Sequence, residues 1–274
     1  MESTQSPSLT CRIAGLDCVV EPGAHCSGIL HRFEPFLIPE WMLTAPRPVL
    51  SGMDASIIRH LAHRHPGWAP SRLEAESLCR TMFNGFARRG VIAIAGTCIV
   101  YHDRAYLFSS RYGGVSERHA LLWRQYLGDD VRLLANGWVA VAPTRHERDD
   151  YAVASSTPWW SEWDPGEGIT CPLEGWCFVE PDVQGAGNSV RRMDASRMVD
   201  EAMQCLFVPD ASLDAARALS VLDRVMALTA LYRERLRDDE SAVAESFRML
   251  TGRSYRDARS LFPLPPVVGP HAWG

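Results

Sequence analysis

The sequence predicts a single α/β domain, with mixed sheets and flanking helices, and three observations predict it. The first is a hairpin, loop and helix pattern at residues 91 to 127. An apolar run from Val91 to Tyr101 turns at His102-Asp103, and a second run follows from Arg104 to Ser109. The Gly-containing loop SRYGGVSER then leads into Leu121, Leu122, Trp123, Tyr126 and Leu127 at near-helical spacing. The second observation is that strand-like runs and helical stripes are interspersed along the rest of the chain. The third is size: 274 residues, 46% apolar and 22% charged, suit an ordinary globular chain with one sizeable core.

In chain order, residues 1 to 9 are polar and are expected to fray. Cys11 to Val20 reads as strand material ended by the turn-like EPGAH, and ILHRFEPFLI as a run able to pair with it. Pro46, Pro48 and Gly52 break the pattern. Asp54 is placed to cap a short helix carrying Ile57, Ile58 and Leu61. Ser71 to Glu74 spells a capping box for a helix to about Arg89, whose stripe is Leu78, Met82, Phe83 and Phe86. Val131 to Val141 reads as a strand pair broken at Asn136-Gly137, a favoured tight-turn dipeptide. Residues 143 to 168 read as loop. Gly175 to Val179 is a strand, Gln184 to Asn188 a turn, and Asp194 to Leu206 and Ser212 to Leu228 are helical. Leu231 to Leu236 is a candidate closing edge strand and Ser241 to Leu250 the last helix. The domain organisation is thus a flexible 1–9, a domain over 10–250 and a Pro-rich tail over 251–274.

Composition excludes several functions. A net charge of −5 gives no basic face for nucleic acid. Neither a signal segment nor an apolar run of membrane-spanning length is present, so a cytoplasmic protein without a membrane partner is expected. All 28 basic residues are Arg. Without Lys there is no Schiff base, no Lys general base and no phosphate-binding Lys, so any phosphate recognition falls to Arg, backbone amides or helix ends. The eight Cys contain no CxxC pair and read as buried thiols. His60, His63 and His65 lie close together, and His at i and i+3 can share a helix face. No Glu sits between them as in HExxH, and the reading is a polar helix end rather than a metal site.

The loop after Ser109 stands where phosphate-binding loops are built. A working one needs G-x-x-x-x-G-K-[ST], with backbone N–H groups and Lys on the phosphates and a hydroxyl on Mg²⁺. Here that chemistry is absent. Trp159, Trp160 and Trp163, flanked by Glu162 and Asp164, are a second unusual cluster. They fit either a loop packed on the sheet or an aromatic docking surface, whose carboxylates would favour a basic partner segment.

The islands AYLFS, HA-LW and TPW, in the order AIAGTCIVYHDRAYLFSSRYGGVSERHALLWRQYLGD, LLANGWVAV, SSTPWWSE, CPLEGWCFVEP, carry a resemblance. The chain resembles the HPr serine kinase/phosphorylase family, with its phosphoenolpyruvate carboxykinase-like fold. It looks closest to short relatives found beside peptide-modification genes of the SynChlorMet and lasso-peptide kinds. Against that pattern the loop-opening Gly is Ser110, and Gly113 alone stays in register, with Gly114 beside it. The Gly before the Lys is Val115, the Lys is Ser116, and the metal-binding Ser and its neighbour are Glu117 and Arg118. The family's strand His is Ala95, and its acidic pair is Asn136-Gly137. The resemblance implies a kinase-like protein without catalysis, no nucleotide cofactor, and a precursor peptide or modifying enzyme as partner. The alternative is an active phosphotransferase using Arg118 in place of Lys.

Overall fold

The computed structural model describes residues 8–45, 47–147, 149–159 and 168–259. It is a mixed α/β fold with a three-stranded and a seven-stranded sheet. β1 (Leu9–Ile13) and β2 (Leu16–Val20) form a hairpin whose two turn residues, Ala14 and Gly15, both have positive φ (53° and 74°). β3 (Val49–Ser51) adds parallel to β2. The stretch between them is not the pairing strand expected of ILHRFEPFLI. It forms α1 (Ser27–Leu30) and a 3₁₀ turn at His31–Phe36, and only Leu37 bridges to Cys11. Phe33 and Phe36, three apart, thereby fall on one buried face.

In α2 (Ala55–Arg64) the Asp54 carboxylate accepts from the amides of Ser56 and Ile57, as predicted. α3 (Pro70–Ala87) starts one residue before the expected cap, with Pro70 in the first turn and Ala69 at the N-cap. Glu74 does not close a capping box: it accepts from the His25 amide at 2.7 Å and lies 2.7 Å from His25 Nδ1. The buried stripe of α3 packs with β1, β2 and β3, and that core also takes in Val91, Ala93 and Ala140.

β4 (Ile92–Tyr101) and β5 (Arg104–Ser109) are the expected hairpin, followed by α4 (Val115–Leu127). β6 (Val131–His146) runs unbroken through Asn136-Gly137, correcting the predicted turn. The reason is tertiary. Gly137 faces Gly96 across the β4–β6 ladder, and a Cβ on Gly96 would lie 2.4 Å from the Phe108 carbonyl oxygen. Gly96 leaves room for that close approach, and Gly137 sits within the strand at φ 127°, a conformation that favours Gly, rather than making a turn.

β7 (Asp149–Ser155) pairs with β6 where a loop was expected. β8 (Thr170–Pro181), β9 (Ser189–Met193), α5 (Val199–Cys205), α6 (Ser212–Leu228), β10 (Ala230–Leu236), α7 (Glu240–Thr251) and α8 (Tyr255–Ala258) follow. The large sheet runs β5-β4-β6-β7-β8-β10-β9, and β5 also pairs parallel with β8. Five strands therefore close into a barrel from which β10 and β9 extend. β8 reaches both because its first residues pair with β7 and its later ones with β10. β10 is consequently interior, with β9 outside it. α5 and α6 pack with the cluster containing Ile94, Leu107 and Trp176. α4 and α7 pack with the one containing Phe108, Cys177 and Tyr232.

Candidate functional site

β5 ends at Ser109, and the loop to α4 is held by its own polar groups. Ser110 Oγ donates to the Val179 carbonyl at 2.7 Å and accepts from the Tyr112 amide at 3.1 Å. Gly114 enters the helix at φ 74°, which favours Gly there, whereas a Cβ on Gly113 would touch nothing within 4 Å. Val115 and Ser116 open the helix. Arg111 lies 3.4 Å from Glu180, and Arg118 is ion-paired to Asp238. Both guanidinium groups nearest the loop are thus engaged by carboxylates.

Glu117 sits in the first turn of α4, where a carboxylate is favoured by the helix dipole. Its Oε1 accepts from Asn136 Nδ2 at 2.8 Å, and Asn136 Oδ1 accepts from Thr97 Oγ1 at 2.8 Å. Nearby, Ser109 Oγ donates to the Ala95 carbonyl at 2.8 Å and accepts from Trp176 Nε1 at 3.0 Å. The fold thus brings Glu117 of the loop helix and Asn136 of β6 together. Thr97, Ser109 and Trp176, which complete the arrangement, were not singled out. The chain's polarity pattern marks none of them, since each lies within an apolar strand.

A cleft of about 20 Å³ beside the loop is lined by Ser109, Ser110, Arg111, Phe178, Glu180 and Cys205. That is room on the scale of a single water, against hundreds of Å³ for typical small-molecule sites. A wider cleft of about 460 Å³ lies at the other end of β5, among Arg104, Tyr151, Glu174, Arg192 and Leu228.

Beneath α4 is a buried polar group that sequence reasoning missed. Glu234 Oε2 of β10 is 3.7 Å from His119 Nε2, and both side chains are almost fully buried. His119 Nε2 accepts from Trp123 Nε1 at 3.1 Å and lies 3.1 Å from Ser246 Oγ. Burial raises the Glu234 carboxyl to about 8, with a smaller opposing effect from a hydrogen bond to Cys177. Burial lowers His119 to about 3. At neutral pH both are uncharged, as an apolar core requires. His119 lies in the HA-LW island, which hinted at it; Glu234 stands in a charged-looking run, LYRERL, with no such signal.

The Trp cluster divides. Trp159 is half-buried and edge-on to Phe33 (5.6 Å) and Phe83 (5.3 Å), a member of the N-terminal core. Trp160, Glu162, Trp163 and Asp164 lie outside the described residues. His60 and His63 are exposed on α2, and His65 stacks on Trp68 at 4.0 Å. Among the described residues no group of three His, Cys, Asp or Glu is arranged to hold a metal ion. Among them, too, no helix is long and apolar enough to cross a membrane.

No protein-family model matches the chain, and no curated protein matches it. A solved structure does: the HPr(Ser) kinase/phosphatase from Coxiella burnetii, 8% identical, covering 49% of this chain and 91% of that one, with a TM-score of 0.25. This is a likeness of fold alone, and at that TM-score it transfers no residue role.

Proposed function

We propose that this chain is a kinase-like protein of the phosphoenolpyruvate carboxykinase-like class, silent in phosphoryl transfer, that binds a peptide or protein partner. The observation that carries the reading is the Glu117–Asn136–Thr97 chain of hydrogen bonds. A triphosphate at this loop would meet the Glu117 carboxylate, and like charges in a partly buried site repel strongly. Asn136, at the position of the acid/base carboxylate, cannot take up a proton as a base. Further support comes from the size of the cleft beside the loop.

The competing reading, an active phosphotransferase with Arg118 in place of Lys, needs that guanidinium free to meet phosphate. Arg118 is instead held by Asp238, and Arg111 by Glu180. The partner class follows from the resemblance to short relatives beside peptide-modification genes: a precursor peptide or a modifying enzyme of ribosomal peptide maturation. Titration calorimetry with Mg-ATP tests the silent site. The expected result is no saturable heat at millimolar nucleotide; saturable binding, or transfer of ³²P to any added protein, would sink it.

A further inference from the structure

The large sheet ends at β9, whose outer edge carries no strand among the described residues. Free backbone N–H and C=O groups along such an edge are a template for a further strand. The side chains there are unusual for an acidic chain. Arg191 of β9 lies directly opposite Arg233 of β10, and Arg235 is two residues further along the same face. Arg192 projects from the other face of β9, and both β9 arginines are exposed.

The ion pairs leave this face short of negative charge. Arg233 is held by Glu201. Arg235 and Arg237 share Asp182, at 3.9 and 3.4 Å. Arg191 makes no ion pair among the described residues.

Charge on an edge strand is also a common guard against aggregation. A guard, however, needs charge only on the edge strand itself. Here guanidinium groups also stand on the interior strand, and with Arg233 met by Glu201 the ones left short of a carboxylate are Arg191 and Arg235, which shares Asp182 with Arg237. An anion bridging Arg191 and Arg235 would meet charge that the fold leaves unmatched.

We propose that the β9 edge receives an extended acidic segment of the partner, added as a strand, with its carboxylates over Arg191 and Arg235. This rests on the partner-binding reading of the preceding section and names the chemistry of the segment bound. An extended chain places alternate side chains on one face, so acidic residues at every second position would meet the arginine rungs. Backbone pairing would supply affinity, and the arginines would select register and sign.

The test is titration of the full chain with a synthetic peptide of alternating Glu and Thr, against its Lys–Thr counterpart. The Glu peptide should bind, with affinity falling as salt rises from about 0.05 to 0.5 M. Amide shifts in NMR spectra should centre on residues 189–193. Exchanging the β9 arginine of that face (Arg191→Glu) should weaken binding at least about tenfold, while Arg59→Glu on exposed α2 leaves it unchanged. Equal binding of the Lys peptide, indifference to the β9 exchange, or shifts centred elsewhere would overturn the proposal. So would no binding at all. Peptide binding with shifts centred away from residues 189–193 would remove the β9 edge and leave partner binding standing, while the Mg-ATP titration judges the silent site separately.

Discussion

Glu234 and His119 face each other in a buried core, and burial moves their proton affinities in opposite directions. The Glu234 carboxyl, raised from 4.5 to about 8, holds its proton in the folded chain and loses it in the unfolded one, so stability falls as pH rises through that window. His119, lowered from 6.5 to about 3, stays neutral when folded and is protonated when unfolded, so stability falls as pH drops through its window. Between 4.5 and 6.5 the two slopes oppose each other. We therefore expect a plateau there, an alkaline decline set by Glu234 and an acid decline set by His119. Thermal midpoints of the wild type and Glu234→Gln across pH 6.5 to 8 check this. The decline should be smaller in the variant, and parallel curves would count against it. Asn136→Asp makes a second residue-scale test. It replaces a donor to Glu117 with a carboxylate, and should cost about 1–3 kcal/mol at neutral pH in urea unfolding. Adding Glu117→Gln should recover most of that loss.

At the scale of elements, barrel closure depends on how closely β4 approaches β5. Gly96→Ala would press a methyl against the Phe108 carbonyl, a backbone atom that cannot swing aside, with Ser109 Oγ also only 2.8 Å away. A loss of about 1–3 kcal/mol is expected from denaturant midpoints. An unchanged midpoint would mean the strands separate easily there. Trp159 is the matching test in the N-terminal core. Its ring lies on Phe33 and Phe83, so Trp159→Ala should cost about 3 kcal/mol as a packing residue. Element type was legible where one periodicity dominates: the β4–β5 hairpin, α4, α6 and α7 follow from apolar spacing alone. It was not legible at β6, where Asn136-Gly137 is a strong local turn signal overruled by strand pairing on both sides. The 3₁₀ segment at His31–Phe36 was missed because its apolar spacing also suits a strand.

At the scale of the whole molecule, the three-stranded sheet and the barrel share a core. Val91, Ala93 and Ala140 pack in one cluster with Phe83, Phe86 and Val49. The two sheets should therefore unfold together. Urea transitions followed by far-ultraviolet circular dichroism and by Trp fluorescence are expected to coincide. A separate early transition would show that the N-terminal sheet is only loosely attached.

The sequence by itself determined the mixed α/β class, most helices and the central hairpin. Each is written in local spacing, the period of apolar residues and the turn residues between them. Only the tertiary structure decided the rest. It closed the barrel through β5 and β8, which lie 61 residues apart from the end of one to the start of the next. It also joined Glu117 to Asn136, buried Glu234 against His119, and set Arg191 opposite Arg233. These pairings depend on strand register and helix placement between segments distant in the chain, and no local pattern encodes that register.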